Sequence, residues 1–309
     1  MNLMERSALM LEPQENMTLS QFVSLGKLAE SLGFPALFRS DHLLPTSARR
    51  GIPSTECWTS LAALFAKTEK LKLGTLVSPV GFRNPALLAK MACDLAYYSE
   101  DRLILGVGAG WYDAEYRAFG IPFPPASVRI EMLEEALSII KPVVKEGRAG
   151  YRGRHFSVDL EVYPKPSPIH LVVGATSPKT VGVAAKYADE WNFFMMSKSS
   201  FLDLKRVYKE KGGNGVVSRM GSFVLGQSRE ELDRELRVRA SRLGYGADLE
   251  SFRKRLSERG VIVGTEEEFV DGLAEWVDAG VDRFMFQVVD PIDEETLRNL
   301  AGVLLNESV

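Results

Sequence analysis

Apolar residues in this chain gather in short runs, and each run is followed by a stretch in which they return every three or four positions. "SALMLEP" is one such run, and "TLSQFVSLGKLAESLGF" after it carries Phe22, Leu25, Leu28, Ala29 and Leu32 at helical spacing, with Gly33 as a stop. The pair predicts a strand and then a helix. The unit recurs as "FPALFRS" before "STECWTSLAALFAKTEK", "LKLGTLVSP" before "NPALLAKMACDLAYYSE", and "DRLILGVGAG" before "ASVRIEMLEEALSIIKPVVKE". It continues as "IHLVVGA" before "SPKTVGVAAKYAD", "EWNFFMM" before "SFLDLKRVYKEK", "SRMGSFVLG" before "SREELDRELRVRASRLG", and "DRFMFQVV" before "DEETLRNLAGVLL". Eight strand and helix units result.

Strands that are apolar throughout are expected to be covered on both faces, as in parallel sheets wrapped by helices. Eight units predict closure into a (β/α)8 TIM barrel, one domain over residues 1–309. A doubly wound open sheet is the alternative that the pattern leaves open. A barrel takes about 250 residues, so the 309 present require insertions. One is expected at about 146–168, where "GRAGYRGRHFSVDLEVYPKPSP" reads as a hairpin or an extended excursion. The other, at about 247–280, reads as extra helices.

Composition narrows the class of partner. The chain is 45% hydrophobic and 26% charged, the proportions of a soluble globular protein. Its net charge of -3 gives no electrostatic reason for a nucleic acid or an anionic membrane, so a small-molecule partner is expected. No apolar run approaches the roughly 20 residues of a spanning helix. Cys57 and Cys93 are far apart, form no CxxC pair and come without a secretory leader, which leads us to expect a reducing cytoplasm.

In a barrel the loops that follow the strands build the active face. The second strand ends in Arg39, Ser40, Asp41 and His42, and His42 is one of only three histidines, with His155 and His170. The plainer alternative is that Asp41 caps a turn and His42 is a satisfied loop residue. The third strand leaves through "GTLVSPVGFRNP", which has no periodic apolar face and can bulge, bringing backbone close to a flat ring. The fourth ends in "LGVGAGW", where Trp111 replaces the last glycine of a dinucleotide fingerprint. Gly106, Gly108 and Gly110 would let a planar ligand lie against backbone with Trp111 as a wall, or would serve a tight turn.

The fifth strand ends in Gly174, Ala175, Thr176 and Ser177 at a helix start, a phosphate site or a simple N-cap. Asn192 near the end of the sixth offers a donor or acceptor. Scattered histidines without HxxxH or HxxE spacing predict no catalytic metal, and GxSxG is absent. The strand ends together suit a flat, phosphorylated cofactor, which they do not name.

The stretches "LMLEPQ", "FRSDHLLP", "GTLVSPVGFRNPALLAKMACDLAYYSEDRLILGVGAGWYDAEYRAFGIPFP" and "KYADEWN", in that order, resemble the luciferase-like monooxygenase superfamily, within it the coenzyme F420-dependent oxidoreductases. The resemblance extends over nearly the whole chain. It implies a luciferase-like TIM barrel, frequently a homodimer, that binds F420 or FMN at the strand C-termini. It implies that Asp41 contacts the deazaflavin and that His42 lies near the hydride-transfer centre. By the same resemblance Leu76 and Val77 form a bulge, often with a cis peptide, behind the ring. Ala109 and Gly110 offer backbone contacts, and Gly174, Ala175, Thr176 and Ser177 bind phosphate.

Relatives that oxidise glucose 6-phosphate carry a glutamate directly after the strand-four glycines, where this chain has Trp111, and a tryptophan soon after the histidine, where Leu43 to Thr46 follow. Both departures argue against sugar-phosphate dehydrogenation. The expected activity is hydride transfer between F420 and a small organic substrate, with His42 as acid or base. Arg39 would steady an anionic ring or form a salt bridge within the barrel. An FMN-dependent monooxygenase using reduced flavin and O2 is one alternative, and a non-catalytic flavin-binding protein a second.

Overall fold

The computed structural model describes residues 2–47, 49–165, 167–245, 248–288 and 294–307. Met1, Pro166, Ala247, Asp293 and Val309, which fall within expected elements or mark their bounds, lie outside the described residues. Strands β1 Ser7–Leu11, β2 Ala36–Arg39, β3 Lys72–Thr75, β4 Leu103–Gly108, β5 His170–Gly174, β6 Glu190–Phe194, β7 Val216–Gly226 and β8 Arg283–Val288 follow the eight expected runs. Each pairs in parallel with the next, and β8 returns to β1 with Ser7 opposite Phe284 and Leu11 opposite Val288. The ring is closed, a TIM barrel, which removes the open-sheet alternative.

Alternation explains why these strands read as unbroken apolar runs. Ala8, Met10, Phe38, Ile104, Val172 and Met285 fill the barrel interior, while Leu9, Leu11, Leu37 and Leu73 join the core between strands and helices. Helix Leu19–Ser31 starts in a Thr18–Gln21 capping box. It stops before Gly33, which takes a φ of 84° that favours glycine. Helix Pro85–Tyr98 begins with Asn84 as N-cap and proline in its first turn.

The first insertion is a hairpin, Arg148–Arg152 against Ser157–Glu161. The second departs from expectation. It contains the helices Leu249–Glu258 and Glu266–Asp278, but a strand, Ile262–Thr265, lies between them. β7 runs 11 residues, longer than the barrel needs, and its continuation would leave a bare sheet edge. The β-branched run "VIVGT" covers that edge, with Phe223 opposite Ile262.

β3 and β4 are separated locally by a bulge. Gly74 lies opposite Ile104 and Ser78 opposite Val107, so four residues of one segment span three of the other. A Cβ at Gly106 would sit 2.0 Å from the Thr75 carbonyl oxygen, so only glycine permits this approach. We expect Gly106→Ala to lower the free energy of unfolding by about 1–3 kcal/mol or more through overpacking. Gly150→Ala, whose Cβ would meet nothing within 4 Å, should stay within about 0.5 kcal/mol of the parent. Urea denaturation of both variants checks this, and equal midpoints would refute the reading.

Candidate active site at the barrel mouth

The loop after β2 is held at two places by carboxylates from other elements. Glu115, only 1% exposed, accepts from the Leu43 amide at 2.8 Å through Oε2, and its Oε1 lies 2.9 Å from His42 Nδ1. Glu15 accepts from the Thr46 amide at 2.5 Å and from both hydroxyls of Thr46 and Ser47. His42 Nε2 has no hydrogen-bond partner among the described residues. The Trp111 ring stands edge-on to the imidazole at 5.7 Å, and Tyr112 does so at 6.1 Å. Burial acts to lower the His42 pKa, but the Glu115 hydrogen bond and the charges of Glu115, Glu12 and Asp41 outweigh it. The net direction is upward from 6.5.

Glu115 comes from a short helix, Asp113–Ala118, which is anchored by the next residue. Tyr116 is fully buried between Phe82 and Phe123, with centroids 4.7 and 4.9 Å away. Its hydroxyl fills the space a Cβ would need at Gly110, which has a φ of 78°. Burial, together with the nearby Glu115 charge, raises the Tyr116 pKa far above the phenol range.

Asp41 is 1% exposed and its carboxylate is fully engaged. Oδ2 accepts from Arg83 Nη1 and Ser78 Oγ at 2.6 Å each and from Trp58 Nε1 at 3.3 Å, while Oδ1 accepts from Arg83 Nη2 at 3.3 Å. Arg83 also reaches Glu56 at 2.6 Å. A buried carboxylate requires such partners, because burial without them costs several kcal/mol.

The bulge contains Leu76, buried in the barrel interior, and half-buried Val77, joined by a cis peptide bond. The strand-four glycines behave differently from the expected ligand platform. The space above Gly106, Gly108 and Gly174 is filled by Thr75 and the Val77 side chain, and that at Gly110 by Tyr116. These glycines make room for the protein's own bulge and helix. Backbone open to the mouth remains at half-buried Ala109 and Gly110.

Two further expectations are corrected. Arg39 does not face the mouth, and it forms no salt bridge among the described residues. Strand alternation turns it outward with Leu37, where it donates to Ser40, Thr55, Glu56 and Ser60 oxygens beneath the helix layer. Asn192 lies inside the barrel, its Nδ2 bound to Ser218 Oγ at 2.9 Å and beside Met285 Sδ. After β5, Ser177 is the N-cap of helix Pro178–Tyr187, and its amide goes to Thr180. The Ala175 amide goes to the Asn192 carbonyl. Exposed Thr176 keeps its amide and hydroxyl without partners among the described residues.

Sequence reasoning did not single out Glu115, Arg83, Trp58, Glu12 or Glu15. Glu12 and Glu15 lie just past the first strand end, a position from which their place at the mouth could have been inferred. The others act across 17 to 73 positions, and no local spacing marks them.

A family model described as luciferase-like monooxygenase matches residues 1–283. An F420-dependent glucose-6-phosphate dehydrogenase of Microbacterium testaceum is 33% identical over 174 residues, 55% of this chain and 51% of that protein. An F420-dependent hydroxymycolic acid dehydrogenase of Mycobacterium tuberculosis is 30% identical over 180 residues, 57% of this chain and 49% of that one. The chain thus spans about half the length of the curated relatives it matches. A solved F420-dependent secondary alcohol dehydrogenase, in complex with an F420-acetone adduct, superposes with a TM-score of 0.79 over 96% of this chain and 97% of its own. At 18% identity that likeness establishes the fold.

The Glu115 contact generates a prediction that does not involve turnover. In Glu115→Gln the charge opposite Nδ1 is removed, so His42 should titrate lower than in the parent, by about one pH unit or more. NMR of the imidazole carbons measures both curves, and an unmoved His42 would refute the coupling. Because its folded pKa is raised, the pair stabilises the fold fully below about pH 6.5 and progressively less as pH rises through the higher folded value.

Proposed function

The chain belongs to the luciferase-like monooxygenase family, and from that premise we propose that it is a coenzyme F420-dependent oxidoreductase acting on a small organic substrate. The F420-dependent dehydrogenases it resembles support the cofactor. The observation that carries the reading is the His42–Glu115 pair, an acid/base group whose Nε2 has no partner among the described residues and lies beside the exposed Trp111 face.

The residues present fit a deazaflavin. Val77 and Leu76 would support the ring from behind, and the half-buried Ala109 and Gly110 backbone would lie along it. Thr176, whose amide and hydroxyl have no partner among the described residues and lie next to a helix start, would hold the phosphate. Asp41, engaged by Arg83, Ser78 and Trp58, would act chiefly by fixing the loop that carries His42. When bound, the deazaflavin supplies the hydride chemistry. Glu115 holds the imidazole through Nδ1, so the mobile proton is at Nε2, where it can pass to or from a substrate oxygen. Raised basicity holds that proton to a higher pH than an ordinary histidine would, which favours donation in the reducing direction. That direction should slow as pH climbs through the raised value.

Glucose 6-phosphate is not the substrate we infer, because Trp111 occupies the position of the glutamate that the sugar-phosphate relatives carry. We also propose a cytoplasmic homodimer. Leu87, Tyr97 and Tyr98 leave apolar surface exposed on helix Pro85–Tyr98, and both cysteines are buried free thiols.

Separate titrations of the purified chain with F420 and FMN, read by ring fluorescence, test the cofactor. We expect saturable F420 binding and no response to FMN; saturable FMN binding with F420 ignored would instead favour the monooxygenase reading. His42→Ala should leave F420 binding intact and lower turnover by about 10²–10⁴-fold. Full turnover in that variant would remove the role given to His42.

A further inference from the structure

A cavity of about 620 Å³ lies beside the mouth, between the outer half of β7, helix Arg229–Arg242 and the end of β8. Neither His42 nor Asp41 lines it, yet it is linked to them. Gln287 in its wall donates to Glu12 Oε1 at 2.6 Å, Gln14 donates to Glu12 Oε2 at 2.7 Å, and Ser40 donates to Gln14 at 2.7 Å. This chain crosses the ends of β8, β1 and β2 and stops at the residue before Asp41. Glu12 is also among the charges that raise the His42 pKa.

Four arginines line the cavity; Arg234 pairs with Glu231, while the guanidinium groups of Arg239, Arg242 and Arg259 form no salt bridge or hydrogen bond among the described residues. The wall also carries Glu231, Glu235 and Glu295. Glu231 is engaged by the Gln227 amide and Arg234, and neither Glu235 nor Glu295 pairs with the three arginines. Arg239 is half-buried, and a guanidinium there without an ion pair is an electrostatic cost that a bound anion removes, while Arg242 and Arg259 stand exposed at the rim. Burial lowers the Arg239 pKa, Glu235 opposes this, and Arg242 adds to it. Much of the remaining wall is apolar, including Val224, Leu225, Val238 and Leu256. Volumes of roughly 300–1,000 Å³ suit small organic ligands.

We propose that this cavity is the substrate subsite and that it takes an organic anion, an apolar body ending in a carboxylate or phosphate. The ligand's anionic end meets Arg239 and Arg242, its body lies on the apolar wall, and its far end extends past Gln287 toward His42. The assignment as substrate subsite rests on the oxidoreductase reading above; anion capture by the cavity does not.

Calorimetric titration of the full chain with octanoate, octanol and inorganic phosphate tests it. Octanoate should bind saturably and at least about tenfold more tightly than octanol, as a charge-assisted contact requires. The double variant Arg239→Gln/Arg242→Gln should lose that discrimination, while Arg259→Gln, on the opposite side from helix Arg229–Arg242, should lose part of it. Circular dichroism melting identifies any variant that fails to fold. F420 titrated in parallel should bind parent and double variant equally. No octanoate binding to the parent, no preference over octanol, or phosphate bound as well as octanoate would overturn the proposal. So would a matched loss of F420 affinity in the double variant, since the cavity would then serve the cofactor. Octanoate binding without any F420 binding would leave the anion site standing and end the cofactor reading.

Discussion

The Glu115 carboxylate lies almost wholly out of water, a position that a charge occupies only when its hydrogen-bonding capacity is met. It is met by two groups of one loop, the Leu43 amide and the His42 ring. The same contact fixes which imidazole nitrogen faces the protein and raises the basicity of the ring. Loop position, tautomer and proton affinity are therefore set together. Glu15 secures the far side of the loop, and Asp41, clamped by Arg83 and Ser78, secures the near side. A loop that would otherwise be among the more mobile parts of a barrel is tied at three points.

The scaffold serves this arrangement through absence of side chains. Gly106 and Gly108 let β3 and its bulge press onto β4, and Gly110 and Gly81 admit the Tyr116 ring that seats Glu115. The bulge thus brings Leu76, Val77 and Ser78 to the mouth, and Ser78 delivers its hydroxyl to Asp41. Packing under the mouth and charge above it are parts of one construction. Any change that displaces Tyr116 would move the carboxylate on which His42 depends.

The barrel was legible because its strands are covered on both faces and its helices carry their own start and stop signals, as at Thr18, Asn84 and Gly33. The strand Ile262–Thr265 was not, since three β-branched residues and a glycine between two strong helical patterns acquire meaning only from the long β7 edge beside them. At the site, position along the chain placed Asp41 and His42 at a strand mouth. Direction was the weaker inference. Arg39 sits two residues before Asp41, yet pleat alternation sends it into the helix layer. Asn192 was read as a mouth residue although it lies within the barrel. Glu115 and Arg83 escaped because their partners are distant in sequence, so their function follows from folding and not from spacing.

Hydrogen exchange at the Leu43 amide tests the central interaction most directly, because that proton is donated to Glu115 itself. The account predicts slow exchange in the parent and fast exchange in Glu115→Ala, with the barrel strands unchanged in both. Fast exchange at Leu43 in the parent, or protection that survives loss of the carboxylate, would contradict it.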